Sequence, residues 1–141
     1  MNNKFLPGAV LFIIAFTLSN LAFQTHVKAQ SNTFYGEGAG ANNSGGRNSG
    51  FGYLALSSGN SATENTAIGD EALYSNTTGQ WNTASGAQAL FSNTIGNYNT
   101  ASGASALANN TTGVWNTAIG NPKPLLDDYR DKNTATGYNV V

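Results

Sequence analysis

Catalysis in this chain would have to be assembled from carboxylates and hydroxyls, because the side chains that usually activate a nucleophile are almost missing. The 141 residues include no cysteine and a single histidine, His26, which precedes the repeats described below. Serine and threonine are plentiful but have no histidine to activate them. Three carboxylates cluster, Asp127, Asp128 and Asp131, beside Tyr129 and Arg130. Oxygen ligands at that spacing suit a hard cation such as calcium. Neither the EF-hand spacing nor the Gly-Gly-x-Gly-x-Asp nonapeptide of calcium-binding β-rolls is present, however. Pro122 and Pro124 mark the stretch as a solvated loop bulged from its surroundings. The run Gly36-Glu37-Gly38-Ala39-Gly40 matches a phosphate-binding loop only superficially, lacking the lysine and the following helix. The sequence thus nominates no catalytic residue, no cofactor-binding residue and no metal ligand, and the expectation is a protein that is not an enzyme.

Two periodic sets offer surface chemistry instead. Trp81, Tyr98 and Trp115 recur every 17 residues. Such a row is a candidate surface-binding set, able to stack on sugar rings, and equally able to pack on its own neighbours or in a subunit contact. Thr66, Thr83, Thr100, Thr117 and Thr134 recur at the same interval and would give a regular hydroxyl array suited to ice or a mineral face.

Both sets are held by one repeat. Asn-Thr-Ala begins at Asn65, Asn82, Asn99, Asn116 and Asn133, with 17 residues between starts. Counted from that Asn, Gly is fifth (Gly69, Gly86, Gly103, Gly120, Gly137) and Ala-Leu eighth and ninth (Ala72-Leu73, Ala89-Leu90, Ala106-Leu107). A second Asn-Thr follows at Asn76, Asn93 and Asn110, then Gly79, Gly96 and Gly113, and the aromatic closes the unit. A fixed period this short implies a solenoid, in which no single coil buries its own apolar face. The expected fold is all-β, a parallel β-solenoid or β-roll of about five to six 17-residue coils after an N-terminal signal helix.

Strand alternation assigns sides. Ala67 and Gly69 fall on one face, Thr66 and Ile68 on the other. Ala and Gly are unvarying, whereas the Ile68 position becomes Ser85, Ser102, Ile119 and Thr136, so the small residues are read as interior. The structural core is therefore expected at Ala67, Gly69, Leu73, Ala84, Gly86, Leu90, Ala101, Gly103, Leu107, Ala118 and Gly120. Stacking at ~4.8 Å per coil would line the Asn residues into amide ladders and the Leu residues into an apolar stripe. Whether residues 70–75 form a second short strand or one helical turn is open at this stage. Gly/Asn-rich tracts are often disordered, but a strictly periodic Leu, Ala and aromatic set argues for packing.

The domain organisation follows. Residues 1–29 read as a signal peptide, with Lys4 before an apolar run over 6–23 and short side chains at Val27 and Ala29 before the cleavage point. The rival is an uncleaved membrane anchor, interrupted by Pro7, Gly8, Ser19 and Asn20. Residues 30–47 read as an irregular or decayed first coil, one residue short, and 48–141 as the β-roll repeat domain, interrupted at 121–132 and incomplete at its C-terminal end. Beyond residue 29 there are four basic residues (Arg47, Lys123, Arg130, Lys132) and seven acidic ones, a net charge of −3. That balance excludes the basic stripe a nucleic-acid binder needs. With no disulfide to stabilise so small an exported chain, homo-oligomerisation is expected.

The units NTAIG-x2-AL…NTTG-x-W/Y resemble the head repeats of trimeric autotransporter adhesins, the YadA-like heads, over roughly 48–141. The resemblance implies a left-handed parallel β-roll, a trimer, and adhesion through a host or cell-surface protein or glycan. Ala67-Ile68-Gly69 and its copies Ala84-Ser85-Gly86, Ala101-Ser102-Gly103 and Ala118-Ile119-Gly120 match the motif that builds the roll. It covers a head-like region only, without the stalk and anchor such adhesins carry, and the unit here is longer than usual. The functional expectation is a secreted or cell-surface, adhesin-like, non-catalytic repeat protein of a bacterium, with a membrane contact only through an uncleaved signal. The alternative is an ice- or mineral-binding solenoid using the threonine rows.

Overall fold

The computed structural model describes residues 31–58, 61–120 and 131–137. Each Thr-Ala-x run, bounded by Asn and Gly, forms a three-residue strand: β3 (Thr66–Ile68), β4 (Thr83–Ser85), β5 (Thr100–Ser102), β6 (Thr117–Ile119) and β7 (Thr134–Thr136). Two further strands precede them, β1 (Thr33–Tyr35) and β2 (Ser49–Phe51). All seven are parallel and lie in chain order in one sheet, with like positions paired, as in Thr66 with Thr83 and Ala67 with Ala84. The described chain is an all-β parallel solenoid, one strand per turn, and the assigned elements include no helix. The segment 1–29, expected to be a signal peptide, and most of the interruption, 121–130, lie outside the described residues. Past that gap the chain is back in register, Thr117 pairing with Thr134.

The stretch after each strand is neither a second strand nor a helical turn. In the coil beginning at Asn65, the N–H groups of Ala72, Tyr74 and Asn76 donate to the carbonyls of Gly69, Glu71 and Leu73, giving three overlapping β-turns. The alternate N–H groups, of Glu71, Leu73 and Ser75, donate to Tyr53, Ala89 and Phe91 in the neighbouring coils. Every second amide thus closes a turn while the others hold the stack together, which satisfies the backbone without regular secondary structure. The geometry requires positive φ at the seventh and ninth positions, 53° at Glu71 and 51° at Leu73. A left-handed conformation costs a non-glycine residue about 1–2 kcal/mol. Full burial of a leucine returns about 1.5–3 kcal/mol, so the ninth-position Leu offsets the strain of its own backbone.

The interior has two sides. Ala67, Ala84, Ala101 and Ala118, the eighth-position Ala residues, and Leu56, Leu73, Leu90 and Leu107 form one continuous apolar cluster. Opposite them are two buried columns of asparagine. Asn82 N–H and Nδ2 both donate to Oδ1 of Asn65, and the same pair of bonds links Asn99 to Asn82. In the second column, Asn93 Nδ2 donates to Oδ1 of Asn76, and Asn110 Nδ2 to Asn93. The fifteenth-position carbonyl joins the columns, Gly79 O accepting from both Asn65 and Asn76. A buried amide is costly unless paired, and here each is paired with its own copy one coil away.

One interior assignment is corrected. Gly69, Gly86, Gly103 and Gly120 do not line the core with alanine; they are half-buried corner residues. At Gly86, φ is 137°, and a Cβ would lie 2.5 Å from the backbone of Gly103 in the next coil. Glycine is required there for inter-coil approach rather than to fill the interior, and alternation fails because the strand ends one residue earlier.

Residues 32–47 form a seated first coil rather than an irregular segment. Thr33, Phe34 and Tyr35 pair in register with Ser49, Gly50 and Phe51, 16 residues on. Phe34 takes the third position in place of Ala and packs against the core cluster. Room for its ring comes from Gly40, which stands where Leu stands in later coils, and from Gly50 beneath it.

Candidate functional site

With the repeated Ala, Leu and Asn residues turned inward, any site must be built from the outward columns. Position two gives a row running through every strand: Thr33, Ser49, Thr66, Thr83, Thr100, Thr117 and Thr134. The row is longer than the five threonines of the Asn-Thr-Ala motif, because β1 and β2 extend it at the N-terminal end. Position four runs beside it as Tyr35, Phe51, Ile68, Ser85, Ser102, Ile119 and Thr136. Parallel pairing spaces both rows at ~4.8 Å along the stack.

The seventeenth position makes the third column. Trp81, Tyr98 and Trp115 share left-handed backbone angles, at 54°, 58° and 62°. Their rings stack face to face, with centroids 4.9 Å apart for Trp81–Tyr98 and 4.1 Å for Tyr98–Trp115, and planes within 5° and 3° of parallel. Neighbours therefore cover both faces of Tyr98, and what the column offers outward is ring edges. A sugar stacking on a ring face finds such a surface only at the two ends of the column. The same column continues in charge: Arg47 and Glu64 precede it and form an ion pair, and Lys132 follows it.

Of the other sequence candidates, Ala67, Leu73, Ala84, Leu90, Ala101, Leu107 and Ala118 are buried. Asp127 and Asp128 lie outside the described residues. Asp131 Oδ1 accepts the N–H of Val114 at 2.9 Å, so that carboxylate links two coils. Asn97 does the same for Gln80 N–H at 2.7 Å. The row Tyr74–Phe91, stacked at 5.2 Å, escaped the sequence reading. Its signal was the tenth position, which is aromatic in only two of the three best units and becomes Ala108 in the third. Thr77 and Thr94 were also missed as coil links; their hydroxyls donate to the carbonyls of Thr94 and Thr111.

No protein-family model, curated protein or solved structure matches the chain.

Proposed function

We propose that the chain is an exported, non-catalytic repeat protein that works by presenting its outer sheet face, in the manner of an adhesin head, to a host or cell-surface protein or glycan. The observation that carries this is the division of labour within the coil. Ala, Leu and Asn are consumed in the interior, while the outward rows repeat in register and vary in chemistry from coil to coil. Export with removal of residues 1–29, and assembly of three chains, belong to the same proposal and rest on the leader-like N-terminus and the resemblance of the repeats. The test is binding of the exported chain to cells, matrix proteins and a glycan panel, with mass measurement by light scattering. Selective binding by a trimer supports the reading. Binding to none of them removes adhesion, and a monomer removes the trimeric head.

A second reading is favoured by the uninterrupted hydroxyl row from Thr33 to Thr134. An in-register, periodic hydroxyl array suits a periodic partner, and ice or a mineral face is the corresponding class. Thermal hysteresis and crystal-shaping assays decide it, and an unaltered crystal habit ends it.

A further inference from the structure

Exposed apolar side chains occur all along the stack, so exposure alone selects no face. The seventeenth-position column stands apart by its symmetry. Counted from Tyr98, Trp81 lies one coil before and Trp115 one coil after, Glu64 two coils before and Lys132 two coils after. The rings are therefore symmetric about the coil at 82–98, and the charges that close the column are opposite. The fourteenth position has the same centre, with Thr78 and Thr112 flanking the exposed Ile95.

A patch that matches itself about one point is what an isologous contact requires, since a two-fold axis sets residue i against j and j against i. Let the axis cross the column at Tyr98, perpendicular to the stack. A second copy then runs antiparallel, and because both copies have one coil spacing, register at one coil is register at all. Tyr98 faces Tyr98, while Trp81 faces Trp115 twice and Glu64 faces Lys132 twice. The charged groups have capacity for this. Glu64 Oε1 accepts from Arg47 Nη1 of its own chain and Oε2 is left open, and Lys132 has no acidic partner among the described residues. A parallel, in-register pairing of the same column would set Glu64 on Glu64 and Lys132 on Lys132, which like-charge repulsion opposes. The stacked rings cover one another's faces and leave edges outward, and tryptophan and tyrosine are enriched where protein contacts carry most energy.

We propose that the Glu64–Trp81–Tyr98–Trp115–Lys132 column is a homotypic docking surface on which a second copy of this chain seats antiparallel, about a two-fold axis at Tyr98. This goes beyond the proposed function and does not depend on it. The contact pairs two copies of the exported unit, whether that unit is one chain or three. From Glu64 to Lys132 the strip is four coil spacings, about 19 Å, so it is short and the association is weak and concentration-dependent.

The test is sedimentation velocity of the exported chain over a concentration series, with exchange of the end charges. Lys132→Glu alone, or Glu64→Lys alone, sets like charges opposite each other and should weaken self-association roughly tenfold. Mixing these two single variants restores both attractions in the mixed pair, and Glu64→Lys/Lys132→Glu restores them within one chain. Both should return to within about threefold of the parent, with far-ultraviolet circular dichroism checking that every variant is folded. The chain has no cysteine, so an introduced thiol reports alone. Ile95→Cys, on the coil of the axis, should form an intermolecular disulfide. Ser61→Cys, two coils off the axis and about 19 Å along the stack from its copy, should not. Three results each overturn the proposal: a parent whose mass does not rise with concentration, a mixture that associates no better than the single variants, and equal cross-linking at the two positions, which would mean parallel pairing. Absence of binding to cells or glycans moves none of these readouts.

Discussion

The coil at 32–47 and the coils from Asn65 to Gly120 obey one register but reach it differently. In the later coils every interior position is filled by the same residue type, so each side chain rests on its own copy. In the first coil, Phe34, Gly40 and Gly50 redistribute the volume, and one residue is missing between the second Asn and the turn glycine. That deletion has a visible cost. Asn76 Nδ2 reaches the carbonyl of Gly79, three residues on, but Asn43 has Gly45 only two residues on, and Asn43 Nδ2 is the one buried side-chain polar atom without a partner among the described residues. The backbone ladder between coils dictates the fold, whereas interior side chains are exchangeable wherever volume is conserved and amides are paired.

Glycine substitutions should separate the two regions most sharply. Gly86→Ala must place a methyl against the backbone of Gly103 at a φ of 137°, so strain and overlap together should cost about 3–5 kcal/mol. Gly38→Ala, in the first coil, meets only the tip of Leu54 at 2.5 Å and occupies a position where Leu54, Glu71 and Gln88 already carry positive φ. It should cost about 1 kcal/mol or less. Denaturant unfolding of the two variants checks the pair. Similar losses would mean that inter-coil approach is not what the fifth-position glycine protects.

Core truncations come next. Leu90 is fully buried, and Leu90→Ala should lose about 2–5 kcal/mol. Phe34→Ala, at a partly buried ring, should lose less, about 2 kcal/mol. The distinguishing measurement is the rescue. Phe34→Ala combined with Gly40→Leu rebuilds the later-coil arrangement and should recover most of the loss, whereas Gly40→Leu alone collides with the Phe34 ring and destabilises. Additive effects in that cycle would show that the two positions do not share one volume.

How much of this was legible in the sequence depends on what each residue encodes. The period, the parallel stacking and the buried Ala and Leu columns follow from spacing and polarity, which a linear sequence carries directly. The turn spiral does not, because nothing about Leu73 as a residue type favours positive φ; tertiary burial imposes it. The fifth-position glycine was misassigned because period-two alternation extends only over a three-residue strand. The first coil reads as decayed because it is one residue short; that Phe34 for Ala and Gly40 for Leu compensate one another shows only in their proximity. For the surface, spacing revealed which residues form columns but not that the rings of Trp81, Tyr98 and Trp115 cover one another.

The missing residue of the first coil can be restored. Inserting a threonine after Asn43 recreates the three-residue spacing by which Asn76 reaches Gly79. The unpaired Nδ2 should then gain its carbonyl, for a stabilisation of about 1 kcal/mol. Unchanged or lower stability would indicate that the shorter corner is needed to seat Phe34.

The smallest effect is expected at the seventeenth position, where the two regions use different chemistry on the same left-handed backbone. The first coils place the Arg47–Glu64 pair there, and the later ones place the three stacked rings. Arg47→Ala removes an exposed ion pair and should change stability by a few tenths of a kcal/mol. Tyr98→Ser removes the middle ring, separates Trp81 from Trp115, and should cost about 0.5–1.5 kcal/mol. Because Tyr98 is 39% exposed and contributes nothing to the interior, the stacked-ring signal in near-ultraviolet circular dichroism should collapse while the far-ultraviolet spectrum holds. A loss above about 3 kcal/mol, of the size that core truncations give, would instead make the column part of what holds the coils together. The small loss leaves the edge surface free to vary in service of binding, since its residues are positioned by the backbone ladder beneath them and not by one another.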